Sequence, residues 1–173
     1  MQTQLRTKRL VLSSILVALG IGLQIVEAMI IPAANLPGGK LGLANITTVV
    51  MLYVFDSKTA LACAILRAFI GSVLYGGVSS MIYSVSGAFF SAVMMIVIKH
   101  NFGKHLTHIG ISVIGAVCHN IAQVSVAVLL LENVWIFTYL PILVIVACIT
   151  GIFTGYAARY ASEYLIKTDV YKK

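Results

Sequence analysis

Eight polar side chains interrupt long apolar runs in this sequence: Glu27, Lys40, Asn45, Arg67, Tyr83, His119, Asn120 and Gln123. In lipid, such groups cost free energy unless they face protein, water or one another, so they mark candidate sites. Their chemistry is recognition. Lys40 and Arg67 suit an anion or a carbonyl-rich solute, and Glu27 can hold one of those cations in place. His119 and Gln123 are four residues apart and Asn120 three before Gln123, a spacing that predicts one shared helical face and a polar wall. Tyr83 offers a ring for stacking.

Catalysis finds less support. Asp56 and Asp169 are the only aspartates, and both stand at the edges of apolar runs, whereas magnesium-dependent diphosphate chemistry needs clustered carboxylates. There is no GxxxxGK[ST] phosphate cradle and no nucleophile–base pair. Three histidines fall within KHNFGKHLTH (99–108), without acidic or cysteine companions, and read as part of a charged connector. Cys63, Cys118 and Cys148 each stand alone in an apolar run and read as buried free thiols. The expectation is therefore no catalytic residue, no metal and no cofactor.

The elements that must position these residues follow from composition. Of 173 residues, 60% are hydrophobic and 10% charged, and the mean hydropathy is +1.02. A soluble domain carries roughly a quarter charged residues, so the bilayer is the expected solvent. The reading is one all-α integral membrane domain, 1–173, with six transmembrane helices near 10–31, 41–55, 58–75, 81–98, 109–131 and 135–160. The second is short for a full span, so the preceding LPGGK segment is expected to dip toward the bilayer. Asp56 or Ser57 can cap the third helix, Pro141 is expected to kink the sixth, and Trp135 and Tyr139 are expected at an interface. The first apolar run reads as a retained helix rather than a signal peptide.

The net charge of +7 sits between the apolar runs, which argues against a nucleic-acid partner. Ten of the twelve Lys and Arg fall in 1–9, 56–58, 99–108 or the tail. The exceptions are Lys40 and Arg67. Loop bias of this kind predicts both termini on the cytoplasmic side. Glu27, Lys40, Asn45 and Gln123 then lie in the outer half and Arg67 and His119 near the middle, which predicts a cavity open outward and closed below. Ser14, Ala18 and Gly22 recur every four residues, a stripe that fits packing inside the bundle or docking to another membrane subunit. Ala147, Gly151 and Gly155 form a second.

LPGGKLGLANI (36–46), LRAFIGSVLYGG (66–77), GAVCHNIAQ (115–123) and the TG…TG pattern of the last helix resemble the bacterial Gx transporter family, also catalogued as heptaprenyl diphosphate synthase component I. That family is similar to the substrate-binding S components of energy-coupling factor (ECF) transporters. The resemblance implies a six-helix, S-component-like bundle in the bacterial cytoplasmic membrane that captures a vitamin or related solute from outside. It further implies toppling in the membrane, driven by ATP hydrolysis on partner chains: an ECF-type transmembrane coupling subunit and two cytoplasmic ATPases. Docking would use Ser14, Ala18 and Gly22, and the 36–46 segment would act as a lid. The alternatives are a non-transporting partner in quinone- or flavin-linked electron transfer and, least favoured, a prenyl diphosphate synthase subunit.

Overall fold

Where lipid replaces water, backbone N–H and C=O groups must be satisfied within the chain, and apolar runs of this length do so as helices. The computed structural model describes residues 2–30, 40–75, 77–103 and 105–168. Among them are six α-helices, one 3-10 helix and no strand. They are α1 (Gln2–Ile30), α2 (Asn45–Val54), α3 (Ser57–Tyr75), α4 (Gly77–Phe102), α5 (His108–Leu131), the 3-10 helix (Val134–Tyr139) and α6 (Leu140–Lys167). Five stretches are long and apolar enough to cross a membrane: 6–29, 57–74, 77–102, 108–131 and 134–167. Large apolar side chains face outward along them, among them Leu19, Val73, Phe90, Leu129, Ile145 and Phe153. An apolar surface this extensive needs lipid.

α2 is the exception and the axis. It has ten residues, about 15 Å of helix, roughly half a bilayer core of about 30 Å. It contacts all five other α-helices, and residues 47–52 are buried throughout. Around it α5 packs against α4 and α6, and α3 packs against α1 and α4. The non-helical stretch 40–44 leads into α2.

Several expected boundaries move. α1 starts at Gln2 rather than near 10, α4 begins at Gly77 and runs to Phe102, and α6 extends to Lys167. Apolarity marks where lipid begins and ends, whereas helices continue into the polar flanks. α2 starts at Asn45 instead of 41, because Gly42 has φ +80° and cannot continue a helix. Pro141 kinks nothing: it sits in the first turn of α6, where its missing N–H costs no hydrogen bond. Pro32 and the 31–39 part of the lid lie outside the described residues.

The end of the bundle that carries the start of α1 and the end of α6 is tied by polar contacts. Asp56 caps α3, its carboxylate accepting from the Thr59 N–H at 3.0 Å, and pairs with Arg9. Lys99 donates to the Leu52 carbonyl in the last turn of α2 at 2.5 Å and lies over the Tyr53 ring. His108, read from sequence as part of the connector, instead stacks on Tyr53 with centroids 3.6 Å apart and bonds Ser162 at 3.1 Å. The Ala147, Gly151, Gly155 stripe is buried, and the two glycines meet the α5 backbone at Val113 and Ile109. By contrast, Ser14, Ala18 and Gly22 are exposed, and nothing lies within 4 Å of where a Gly22 Cβ would stand. Among the described residues nothing packs closely on that stripe.

Two apolar clusters divide the interior. Near the terminal end Leu16, Val17, Val49–Leu52, Met95, Ile111 and Ala158 pack together. Near the opposite end are Tyr83, Val124, Ala127, Ile136 and Leu143. A layer of polar side chains lies between them.

Candidate functional site

The site begins with a break in secondary structure. Residues 40–42 have no regular secondary structure and 43–44 form a turn, all inside an apolar bundle, a state lipid tolerates only where protein satisfies every polar group. Glu27 supplies the acceptors: Oε1 takes the Gly42 N–H at 2.9 Å and Oε2 the Leu43 N–H at 3.1 Å. Thr150 on α6 donates its hydroxyl to the Leu41 carbonyl at 2.7 Å. The Gly42 and Leu43 carbonyls accept from the Asn45 and Ile46 N–H groups, starting α2. Glu27 is 3% exposed, which rules out a side chain reaching the headgroups. The expectation that it pairs with a cation is corrected: both its oxygens hold the segment, and neither Lys40 nor Arg67 forms an ion pair with it.

Lys40 enters from the start of this segment and donates to the Ser84 hydroxyl on α4 at 2.7 Å. It lies outside the spanning helices, and burial lowers its ammonium to about 8, with Glu27 opposing the shift and Arg67 adding to it. Ser84 also receives the Gln24 amide from α1 at 3.4 Å, and the same amide lies 3.5 Å from Ser72 of α3. A lysine, a glutamine and two serines thus join α1, the 40–44 segment, α3 and α4.

Arg67 is 3% exposed. Its stem lies across Gly20 of α1, where a Cβ would collide with the Arg67 side chain and with the Thr47 hydroxyl. The guanidinium reaches Asn45 Oδ1 at 3.5 Å, a long contact, and its Nε has no partner. On the far wall His119 and Gln123 of α5 both lie against Gly87 of α4: a Cβ there would stand 2.5 Å from Gln123 Cγ and 3.1 Å from His119 Cε1. Glycine at these two positions makes room for polar side chains.

Seven buried side-chain atoms here have no hydrogen-bond partner: Gln24 Oε1, Asn45 Nδ2, Thr48 Oγ1, Arg67 Nε, His119 Nδ1 and both amide atoms of Gln123. Buried polar groups are normally satisfied, and each unsatisfied one costs about 1–3 kcal/mol. These come from α1, α2, α3 and α5, and no other described buried side chain lacks a partner in this way.

Of the eight residues read from the sequence, Glu27, Lys40, Asn45, Arg67, His119 and Gln123 meet in this layer. Asn120 leaves it, donating to the Leu143 carbonyl of α6 at 3.1 Å. Adjacent helical residues point about 100° apart, so Asn120 cannot share the His119 face, and the expected three-residue wall is corrected to two. Tyr83 packs against Val124, Ala127, Ile136 and Leu143, so its ring closes the layer from the side opposite the termini. Gln24, Thr48, Ser72, Ser84 and Thr150 were missed as site residues. A serine or threonine in an apolar helix carries little signal of its own.

A comparison with family models matches residues 16–161 to heptaprenyl diphosphate synthase component I. No curated protein and no solved structure matches the chain. The match runs from the first turns of the core-facing part of α1 to the last third of α6, across every residue of the polar layer, and the chain belongs to this family, the Gx transporter family.

Proposed function

We propose that the protein is the solute-capturing membrane subunit, or S component, of an ECF-type importer, taking a small organic micronutrient from outside the bacterial cytoplasmic membrane. The observation that carries this reading is the group of seven partnerless buried polar atoms contributed by four helices. A fold retains groups that costly inside a membrane when something else satisfies them. The apolar cluster of Leu16, Val49–Leu52, Met95 and Ile111 seals the layer toward the terminal end. This favours a closed-bottom binding pocket over a channel. With both termini cytoplasmic, as the basic loops favour, the layer and the 40–44 segment face outward.

The partners in this reading are a transmembrane coupling subunit and two cytoplasmic ATPases. The exposed Ser14, Ala18 and Gly22 stripe supports docking, since it is unused within the bundle and lets another helix approach closely. An enzymatic role in prenyl diphosphate synthesis finds less support, because Asp56 is engaged in capping α3 and pairing with Arg9. We accordingly read the chain as non-catalytic and without a cofactor of its own.

The test is purification from its own membranes in mild detergent, followed by reconstitution. The proposal expects the coupling subunit and ATPases to accompany the wild type, uptake to require ATP, and Ala18→Leu to abolish both. A redox protein as the sole stable companion, with uptake indifferent to ATP and to Ala18→Leu, contradicts it.

A further inference from the structure

The polar layer contains an uneven set of charges. Lys40 and Arg67 are cations, and among the described residues Glu27 is the only acidic side chain interacting with them. Residues 31–39, IPAANLPGG, contain no ionisable group. Two backbone N–H groups donating to its oxygens favour the ionised form, and Glu27 is counted as a carboxylate. The sum is one excess positive charge, before any contribution from His119.

The geometry leaves that excess unused. Glu27 spends its oxygens on Gly42 and Leu43, so neither cation has an anionic partner in contact. Among the described residues Lys40 has one hydroxyl acceptor for three N–H groups, and Arg67 Nε has none. α2 also begins here at Asn45, deep in the bundle, and its N-terminal end adds positive potential to the same spot. An isolated cation in a medium of low dielectric is strongly disfavoured, whereas a matched pair with good hydrogen bonds is tolerated.

We propose that the captured solute is a small organic monoanion, with its single acid group between Lys40 and Arg67 and its remaining polar edge against Gln123 and His119. The inference rests on the capture reading above and names the substrate class of that site. A neutral solute leaves the excess cation uncompensated, and a dianion leaves an excess anion. Gln123, with a free donor and a free acceptor on one amide, complements an edge that carries both.

The probe is the small-molecule pool released by denaturing wild-type protein purified gently into lipid nanodiscs. The pool is separated by anion exchange at neutral pH and identified by mass spectrometry against a nanodisc blank. The expected result is one enriched species, near one per chain, with a single negative charge. Lys40→Gln should lower its amount at least tenfold per folded chain, and Lys40→Arg, which keeps the charge, should restore it. An enriched species that is neutral, cationic or multiply negative overturns the charge assignment and leaves the capture reading standing. No enrichment over the blank overturns the capture reading and this inference with it. If Lys40→Gln fails to fold, the charge of the wild-type species decides the matter alone.

Discussion

Replacing Glu27 by alanine should release the 40–44 segment without unfolding the bundle. The carboxylate accepts two backbone N–H groups, from Gly42 in a buried setting and from Leu43 in a partly buried one. Each buried N–H left without an acceptor costs about 1–3 kcal/mol, and partial exposure of the second places the total near 2–4 kcal/mol. At a factor of ten per 1.4 kcal/mol, opening of this segment becomes about 30 to 1,000 times more favourable. Hydrogen exchange read by mass spectrometry, with the protein in nanodiscs, reports this directly. Amides of 40–44 should exchange faster by that factor, while those of α5 stay at wild-type rates. Glu27→Gln keeps one acceptor and should give about half the change in free energy. Exchange at 40–44 within threefold of wild type in Glu27→Ala would show that Glu27 does not hold the segment, and the account of its burial would fail.

Gly87→Ala places a methyl group against Gln123 and His119, an overpacking worth about 1–3 kcal/mol; thermal unfolding should show a modest loss and solute retention a large one, whereas unchanged retention would remove His119 and Gln123 from the site. Thr150→Val deletes the donor to the Leu41 carbonyl and should accelerate exchange in 40–44 by about fivefold, in line with a hydrogen bond worth about 1 kcal/mol. Lys40 is cationic below about 8 and neutral above it, and Glu27, Arg67 and Ser84 are the groups around it. A bound anion holds the proton on, so retention should be full at neutral pH and fall as pH rises past about 8, while Lys40→Arg should flatten the profile; a flat wild-type profile contradicts the role of Lys40.

The sequence carried much of this arrangement. Glu27, Arg67, His119 and Gln123 were legible because an ionisable or amide side chain in an apolar run has to face the interior. The shortness of the second helix was legible too, and it pointed to the irregular backbone at 40–44. What that backbone demanded was not. Glu27 resembled a partner for a cation because charge is visible in sequence, whereas the need of Gly42 and Leu43 for acceptors appears only once the chain is folded. Thr150, Ser72 and Ser84 were hidden for the same reason: hydroxyls also bond back to their own helix, as Thr150 does to Val146. Asn120 was misplaced by one step of helical rotation. Spacing names a face only to within about 60°, and here that margin separates a solute site from an α5–α6 contact.

Occupancy of the polar layer by one small solute per chain is read out by native mass spectrometry of the wild type and Arg67→Gln, ejected from nanodiscs. A single small-molecule adduct is expected on the wild-type chain and is expected to be absent from Arg67→Gln at equal folded content. A wild-type chain that carries no adduct, or an adduct that persists unchanged in Arg67→Gln, contradicts it.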